Sequence, residues 1–192
     1  MSKGVIDTRD LFNRRAGAWD KSHTNDPEKI ALMLSLCDLR PGMDFLDVGC
    51  GTGVLVPHLL AHRPGRILAV DFAENMIALA REKVEDSRVE FLCADIFTLT
   101  GRVFDCCFLY NTFPFFSEPD RLVDHLATLL RPGGRLCISH SRGKAGESYM
   151  GQTLCGAPVH PNQAIVGLMR PHFHVDATVD NNALFLISGI LR

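Results

Sequence analysis

Two hydrophobic patterns alternate along the chain. Short continuous apolar runs are typical of buried strands, whereas apolar residues that recur every three or four positions are typical of amphipathic helices. The runs are MDFLDVG (43–49), RILAVD (66–71), VEFLCAD (89–95), VFDCCFLYN (103–111) and RLCISHS (135–141), and helical patterns lie between them over 54–61, 74–84 and 122–130. Because apolar strands alternate with helices, the pattern predicts a parallel sheet covered by helices on both faces.

The two ends of the chain differ from this central pattern. Residues 1–25 are mostly polar, but Phe12, Ala16 and Trp19 are spaced as on one face of a short helix. We expect this helix to dock onto the body of the protein as a lid. Residues 173–192 predict two strands joined by a turn at Asp180-Asn181-Asn182, and a hairpin of this kind must be antiparallel.

The remaining segments complete a single predicted domain. Asp26 is a good N-cap and Pro27 suits the first helical position, so a helix is predicted from there to about Cys37. Residues 142–160 hold four glycines without clear periodicity and predict a loop, followed by a helix at 161–169. We therefore expect one α/β domain over 1–192, with a lid segment at 1–25 and a variable, substrate-side segment at 142–170.

Composition and charge narrow the class of protein. A chain of 192 residues with 46% hydrophobic and 22% charged residues is an ordinary globular domain. The formal net charge of −2 argues against a protein that binds nucleic acid through a large basic surface. No nucleic-acid partner is expected.

The seven cysteines indicate a reducing compartment. Their number is odd, they form no C-x-x-C pair, and most lie inside apolar runs, as expected of buried thiols. The first ten residues lack the apolar region of a signal peptide, and no stretch of about 18 apolar residues could span a membrane. We predict a cytoplasmic protein without a membrane partner.

The strongest local signal is DVGCGTG at 47–53, directly after a predicted strand and before a helix. Without Cβ atoms, glycines allow a tight turn and let a ligand lie against the backbone, while the helix N-terminus offers free N–H groups. Asp71 ends the next predicted strand, 20 residues beyond Gly51. An acidic side chain at that place can accept both hydroxyls of an adenosine ribose.

The glycine spacing excludes a dinucleotide fingerprint, because G-x-G-x-x-G/A would need a small residue where Val54 or Val56 stands. The frame instead resembles the first motif of the class I S-adenosylmethionine-dependent methyltransferases. The resemblance is close over 40–141. It is carried in order by FLDVGCGTG, the acid of AVDFAENMIALAR, ADIF after the third strand and LRPGGRL before the fifth.

The resemblance implies a three-layer Rossmann-like methyltransferase fold. Its seven-stranded sheet would be mostly parallel, ordered 3-2-1-4-5-7-6, with an antiparallel last strand, and would bind S-adenosylmethionine. The residues implied at the amino-acid end of the cofactor are Asp47, Gly49, Cys50, Gly51, Thr52 and Gly53. Those implied along the rest of the cofactor are Asp71 at the ribose, Phe72 and Met76 beside the adenosine, Asp95 at the adenine amino group, Ile96 beside the ring and Asn111 by the methyl group.

The segment NTFPFF at 111–116 bears on the acceptor. It resembles small-molecule methyltransferases that read N-x-F-P-H-F, with Phe115 where histidine is common. We predict a pocket for the methyl end formed by Asn111, Phe113, Phe115 and His140, although simple core packing would also explain the phenylalanines. Asn111 and His140 are the candidate catalytic residues: His140 ends the fifth strand, where it would act as a general base or as a hydrogen-bonded structural residue.

The resulting hypothesis is methyl transfer to a small-molecule acceptor. The alternatives are a protein or RNA methyltransferase and a non-catalytic module that binds S-adenosylmethionine. Arg142 and Lys144 would contact an anionic substrate, or lie in a solvated loop. The acceptor and the oligomeric state stay open.

Histidine and cysteine pairs with metal-like spacing are few. His58 and His62 stand four residues apart on a predicted helix, but no nearby acid completes a set. A second group lies near the predicted mouth and comprises Cys155, His160, His172 and His174. Surface or packing roles explain both groups better, so no metal is predicted.

Overall fold

The computed structural model describes residues 8–22, 25–141, 161–181 and 184–192. The helices are α1 (Thr8–Ser22), α2 (Pro27–Ser35), α3 (Val56–Ala61), α4 (Glu74–Lys83), α5 (Pro119–Thr128) and α6 (Pro161–Met169). The strands are β1 (Asp44–Val48), β2 (Arg66–Asp71), β3 (Val89–Cys93), β4 (Phe104–Tyr110), β5 (Leu130–His140), β6 (Phe173–Asp180) and β7 (Phe185–Leu191). Two short 3₁₀ turns follow β3 and β4, at Ile96–Thr98 and Phe113–Phe115.

All seven strands form one sheet in the order β3-β2-β1-β4-β5-β7-β6. Neighbouring strands from β3 to β5 pair in parallel, whereas β7 is antiparallel to both β5 and β6. In this register Asp47 lies between Ala69 of β2 and Phe108 of β4. The predicted order and the reversed last strand are confirmed.

The sheet is buried on both faces, which makes three layers. Alternate strand residues point to opposite faces. Leu46 and Leu68 share a core with α5 and α6, whereas Phe45 and Phe108 pack on the other face with α2, α3 and α4. This is why the strands read as continuous apolar runs rather than as alternating ones.

The third helix and the fifth strand begin at other residues than predicted, for local reasons. The third helix begins at Val56 rather than at 54, because the turns of the glycine loop continue to Leu55 and Pro57 occupies the first helical turn. The fifth strand begins at Leu130 rather than at 135, since its first residues pair with β4 before a register shift. The predicted N-cap is confirmed: the Asp26 carboxylate accepts a hydrogen bond from the Glu28 N–H at 3.0 Å.

The ends of the chain also match the predicted elements where they are described. The segment that contains Phe12, Ala16 and Trp19 forms α1, and residues 161–169 form α6. In the final hairpin β6 ends at Asp180, and residues 182–183 of its turn lie outside the described residues. No helix within the described part of the chain has the length and apolar character needed to cross a membrane.

Candidate functional site

A cavity of about 360 Å³ lies where the carboxyl ends of β1 to β4 meet α1. Each strand contributes through the residues that follow it, beginning with Gly49 after β1 and Phe72 after β2. Asp95 lines the cavity after β3 and Asn111 lines it after β4. Ligands of open α/β sheets bind at this edge, so the topology places the candidate site where the sequence motifs lie.

The glycine loop is shaped by backbone conformations that favour glycine. Gly49, Gly51 and Gly53 have φ angles of +66°, +54° and +80°. A Cβ atom on Gly49 would lie 2.1 Å from the Thr112 Oγ1, so the segment after β4 leaves no room for a side chain there. The backbone N–H groups of Gly49 and Cys50 both donate to the Val70 carbonyl, at 2.8 and 3.0 Å, which ties the loop to β2.

The loop residues divide between the cavity and its support. Of the loop residues predicted to contact the cofactor, Gly49, Cys50, Gly51 and Thr52 line the cavity, whereas Gly53 does not. A Cβ atom on Gly53 would lie 3.3 Å from the Ala80 Cβ, because this residue packs the loop against α4. Burial raises the pKa of the Cys50 thiol well above its usual range, so this group is neutral.

Asp71 joins the loop to the end of β2. One carboxylate oxygen accepts from the Gly51 N–H and the other from the Ala73 N–H, both at 2.9 Å. Burial raises the pKa of Asp71, while these backbone hydrogen bonds lower it. The side chain lines the cavity in a position to meet hydroxyl groups of a ligand.

Asp47 lies outside the cavity wall, buried on β1 with only 2% of its surface exposed. Its Oδ2 has no hydrogen-bond partner among the described residues. Burial raises the pKa of Asp47 to about 7, and the neighbouring charge of Asp71 raises it as well. The chain thus holds an unsatisfied carboxyl oxygen at the base of the glycine loop.

The third acid, Asp95, organises the turn after β3. Its Oδ1 accepts from the Phe97 N–H at 3.0 Å and caps the turn Ile96–Thr98. The three residues predicted to lie beside the adenosine also line the cavity: Ile96, Phe72 and Met76. These apolar side chains provide faces against which a planar base can pack.

At the other end of the cavity, Asn111 adopts a left-handed conformation with φ +58° directly after β4. Its Oδ1 accepts from the Ser141 N–H at 2.8 Å and from the Ser141 hydroxyl at 3.2 Å. These bonds join the ends of β4 and β5. Phe115 lines the cavity as predicted, but Phe113 is buried in the core between the sheet and α5, so its predicted place in the pocket is wrong.

His140 ends β5 but does not line the cavity formed by the described residues. Its Nε2 is buried and has no hydrogen-bond partner among them. Burial lowers the pKa of His140 to about 4, so the imidazole is neutral at physiological pH. The neutral imidazole can therefore accept a proton.

Helix α1 closes one side of the cavity. Phe12 and Ala16 pack against Ala73 and Met76, and Phe12 and Trp19 line the cavity itself. The Phe12 ring also meets the Phe115 ring edge-to-face, with centroids 4.8 Å apart. This contact connects the helix to the segment after β4.

Polar contacts fasten the end of α1 to the glycine loop. The Thr52 hydroxyl donates to the Asp20 Oδ1 at 2.6 Å, and Lys83 of α4 pairs with the other oxygen of Asp20. A further pair of hydrogen bonds joins Asn13 of α1 to Asn75 of α4, each at 3.0 Å. Sequence reasoning found the apolar face of this helix but missed the latch formed by Asp20, Thr52 and Lys83.

Sequence reasoning also missed several residues of the cavity wall. Tyr110 lines the cavity from the end of β4, and Asn25 and Thr112 line it from loops. The position of Tyr110 directly before Asn111, at a strand end, was the available signal. Loop residues such as Asn25 carry no comparable pattern.

The histidine pairs are placed apart from the cavity. His172 meets Asp124 of α5, with Nε2 2.8 Å from the carboxylate, and neither His58 nor His62 lines the cavity. Within the described ranges no three histidine, cysteine or acidic side chains are grouped closely enough to hold a metal ion. Arg142, Lys144, Cys155 and His160 lie outside the described residues.

The fold defines a class of protein. A seven-stranded sheet in this order, with an antiparallel β7 and a glycine loop after β1, is the Rossmann-like methyltransferase fold. The crystal structure of the N-methyltransferase NodS from Bradyrhizobium japonicum in complex with S-adenosylhomocysteine superposes with a TM-score of 0.76 at 17% identity, over 96% of this chain and 99% of that one.

The sequence comparisons agree with this class. Residues 46–138 match the family described as a methyltransferase domain. A malonyl-[acyl-carrier protein] O-methyltransferase from Acetivibrio thermocellus is 35% identical over 132 residues, which make up 67% of this chain and 47% of that protein. A ubiquinone biosynthesis O-methyltransferase from Coxiella burnetii is 31% identical over 129 residues, 65% of this chain and 54% of that protein.

Residues 46–138 form a methyltransferase domain, and the resemblance to the class I S-adenosylmethionine-dependent methyltransferases seen in the sequence is confirmed. The chain spans about half the length of the relatives that it matches.

Proposed function

We propose that this chain transfers a methyl group from S-adenosylmethionine to a small-molecule acceptor. The observation that carries the proposal is the convergence of the glycine loop, Asp71 and Asp95 on one cavity. A loop of this shape accepts a ligand against its backbone, and the two acids are placed to recognise a ribose and a base amino group. The named O-methyltransferase relatives support the same reaction class.

The residues present fit this cofactor. Its amino-acid end carries an ammonium group beside a carboxylate, and its sulfonium is positively charged. Among the described residues, the Asp47 Oδ2 at the base of the glycine loop has no hydrogen-bond partner. The ribose of the cofactor offers two hydroxyl donors to Asp71, and its adenine offers an amino donor to Asp95. We therefore keep the cofactor-binding residues predicted from the resemblance, with Gly53 acting through the packing of the loop.

The chain's own contribution to the transfer is positioning. When bound, the cofactor supplies an electrophilic methyl group that an acceptor lone pair attacks in line with the breaking C–S bond. Tyr110 and Asn111 border the cavity at the end of β4, and α1 covers it. These groups align the reactants and exclude water, which is the main requirement of such a displacement.

A small acceptor suits the cavity better than a macromolecule. The cavity holds about 360 Å³, and Phe12 and Trp19 of α1 form part of its wall. A protein or RNA acceptor would need a wide mouth at the methyl end, and a non-catalytic module would bind the cofactor without turnover.

We also propose a cytoplasmic location. The proposal rests on the odd number of cysteines and their places in apolar runs, and the six cysteines that the structure describes are free thiols.

Formation of S-adenosylhomocysteine from S-adenosylmethionine across a metabolite library tests this proposal. We expect turnover with at least one small molecule.

Asp71→Ala should weaken binding of S-adenosylhomocysteine by about 10- to 100-fold, the effect of losing hydrogen bonds to a charged group. Asp86→Ala removes a half-buried carboxylate that pairs with Arg88 away from the cavity, and it serves as the matched control. Turnover only on protein or RNA fractions, or an unchanged affinity in Asp71→Ala, would contradict the proposal.

We propose that the chain is one domain in which 1–25 forms a lid and 142–170 faces the substrate. The latch between Asp20, Thr52 and Lys83 supports the lid role, because α1 must release the glycine loop before the cofactor can leave. Trp19 is the single tryptophan of the chain and lines the cavity, so its fluorescence reports directly on the lid.

Asp20→Asn should therefore speed dissociation of S-adenosylhomocysteine. Losing the charge that holds Lys83 and the Thr52 hydroxyl is expected to raise the dissociation rate by roughly tenfold, measured as a stopped-flow change in Trp19 emission. Asp10→Asn, an exposed acid in the first turn of the same helix, should leave the rate unchanged. Equal rates in Asp20→Asn and the wild type would refute the lid role.

We propose His140 as the general base, because its buried imidazole is neutral and its Nε2 lacks a partner among the described residues. His140→Gln should lower turnover by about 100-fold with little change in cofactor affinity. Since the pKa of His140 is lowered to about 4, the wild-type rate should stay constant down to about pH 5 and fall below it. A mutant with a near-normal rate would assign catalysis to positioning alone.

A further inference from the structure

Helix α5 supports the turn after β3 from outside the cavity. The His125 Nε2 lies 2.8 Å from the Ile96 carbonyl oxygen, and the His125 and Phe97 rings are tilted with centroids 5.7 Å apart. One helical turn earlier, the Arg121 guanidinium lies over the Phe97 ring at 4.4 Å from its centroid. The helix therefore contacts both the backbone and an aromatic side chain of this turn.

The contact with the carbonyl determines which ring nitrogen of His125 carries a proton. A carbonyl oxygen only accepts hydrogen bonds, so the Nε2 of His125 must carry a proton. The same Ile96 oxygen accepts from the Leu99 N–H at 3.0 Å. Two donors, one from within the turn and one from α5, thus hold this carbonyl in place.

Asp95 is built onto the same short turn. Besides capping the Phe97 N–H, it accepts through its carbonyl oxygen from the Thr98 N–H at 2.9 Å and from the Thr98 hydroxyl at 2.7 Å. The Ile96 carbonyl and the Phe97 N–H belong to one planar peptide unit. A rotation of that unit therefore moves the N–H that holds the Asp95 carboxylate. That carboxylate lines the cavity at the end assigned to the base of the cofactor.

We propose that His125 is a positioning residue that sets the selectivity of this site for a 6-amino purine. The inference rests on the proposed function in taking the ligand to be an adenosine derivative. His125 does not line the cavity, so it acts through the Ile96 carbonyl on the placement of Asp95. A correctly placed carboxylate accepts a hydrogen bond from the 6-amino group of adenine. It disfavours hypoxanthine, because the carbonyl oxygen of that base has no hydrogen to donate.

The test compares S-adenosylhomocysteine with S-inosylhomocysteine, which carries an oxygen in place of the 6-amino group. By calorimetry with the full chain, His125→Leu should lower affinity for the adenine ligand by about tenfold, the effect of one well-placed hydrogen bond. Affinity for the inosine ligand should change little, so the ratio of the two affinities falls. His125→Gln, whose amide N–H takes the place of Nε2–H, should restore the ratio to within about twofold of the wild type.

A purely structural role would lower stability without changing this ratio. His172→Leu removes another histidine contact to α5, at Asp124, and should leave both affinities unchanged. An unchanged ratio in His125→Leu, or no rescue in His125→Gln, would overturn the proposal. If His125→Leu does not fold, ¹⁵N imidazole spectra of the wild type decide: a protonated Nε2 is expected, and an Nδ1–H tautomer would overturn it. Failure of the wild type to bind either ligand would instead refute the proposed cofactor.

Discussion

Replacing Gly49 with alanine is expected to lower the free energy of unfolding by roughly 3–5 kcal/mol and to abolish cofactor binding. Two effects add. The backbone at Gly49 has φ +66°, which costs an L-residue about 1–2 kcal/mol. A Cβ atom would also lie 2.1 Å from the Thr112 Oγ1, so the loop or the segment after β4 must move. Urea unfolding and calorimetry with S-adenosylhomocysteine measure the two losses.

Two further variants separate strain from steric overlap. Gly133 has φ +77°, and a Cβ atom there would meet nothing within 4 Å, so Gly133→Ala isolates the strain. It should cost only about 1–2 kcal/mol and leave cofactor binding intact. Adding Thr112→Gly to Gly49→Ala removes the overlapping side chain and should recover about 1–3 kcal/mol. Gly49→Ala costing no more than Gly133→Ala would show that the loop does not depend on this contact.

Asp47→Asn should stabilise the protein above neutral pH, by up to roughly 4 kcal/mol, while weakening cofactor binding. Burial raises the pKa of Asp47 from its ordinary 3.8 to about 7 in the folded chain. A carboxyl whose pKa is raised on folding leaves the folded state most stable at low pH, where the carboxyl is protonated in both states. That advantage is lost as pH rises from about 4 to 7, and the full cost of the buried charge is reached above 7.

The test therefore compares the free energy of unfolding of the wild type with that of Asp47→Asn as pH changes. Their free energies of unfolding in urea should be similar near pH 4 and separate as pH rises to 8. The variant should also lower affinity for S-adenosylhomocysteine, because a neutral amide does not attract the ammonium group at its amino-acid end as a carboxylate does. Asp44→Asn, a half-exposed acid on the same strand with two arginine partners, should show no such pH-dependent gain. A constant difference across this pH range would mean that Asp47 is not a buried charge at neutral pH.

Much of the fold was predictable because local pattern and tertiary burial agree. The apolar runs become the central strands, and Asp26 caps α2 as its side chain allows. The order of the strands came from the resemblance, not from periodicity. The position of β5 was misjudged at its start, because pairing with β4 draws Leu130 into the strand ahead of Pro132 and Gly133.

The candidate site was predictable where a motif encodes it and obscure where tertiary contacts do. Gly49, Asp71 and Asp95 stand at fixed places after strands, so their positions in the cavity follow from the topology. Phe113 and Phe115 are two residues apart in one apolar segment, and only the 3₁₀ turn decides that the first is buried and the second lines the cavity.

Long-range contacts explain the remaining omissions. The bond between Asp20 and Thr52 joins residues 32 positions apart, and that between His125 and Ile96 joins residues 29 positions apart. Neither spacing carries a local signal, because such partners meet only after helices have packed on the sheet. Polar residues on helices therefore revealed their roles only in the folded chain.

The central claim is that the cavity formed by the glycine loop, Asp71 and Asp95 binds S-adenosylmethionine and its product. Calorimetric titration of the full chain with S-adenosylhomocysteine, and separately with NAD, tests it most directly. The account predicts stoichiometric binding of S-adenosylhomocysteine and much weaker or undetectable binding of NAD. Tighter binding of NAD, or no binding of S-adenosylhomocysteine by the folded chain, would contradict it.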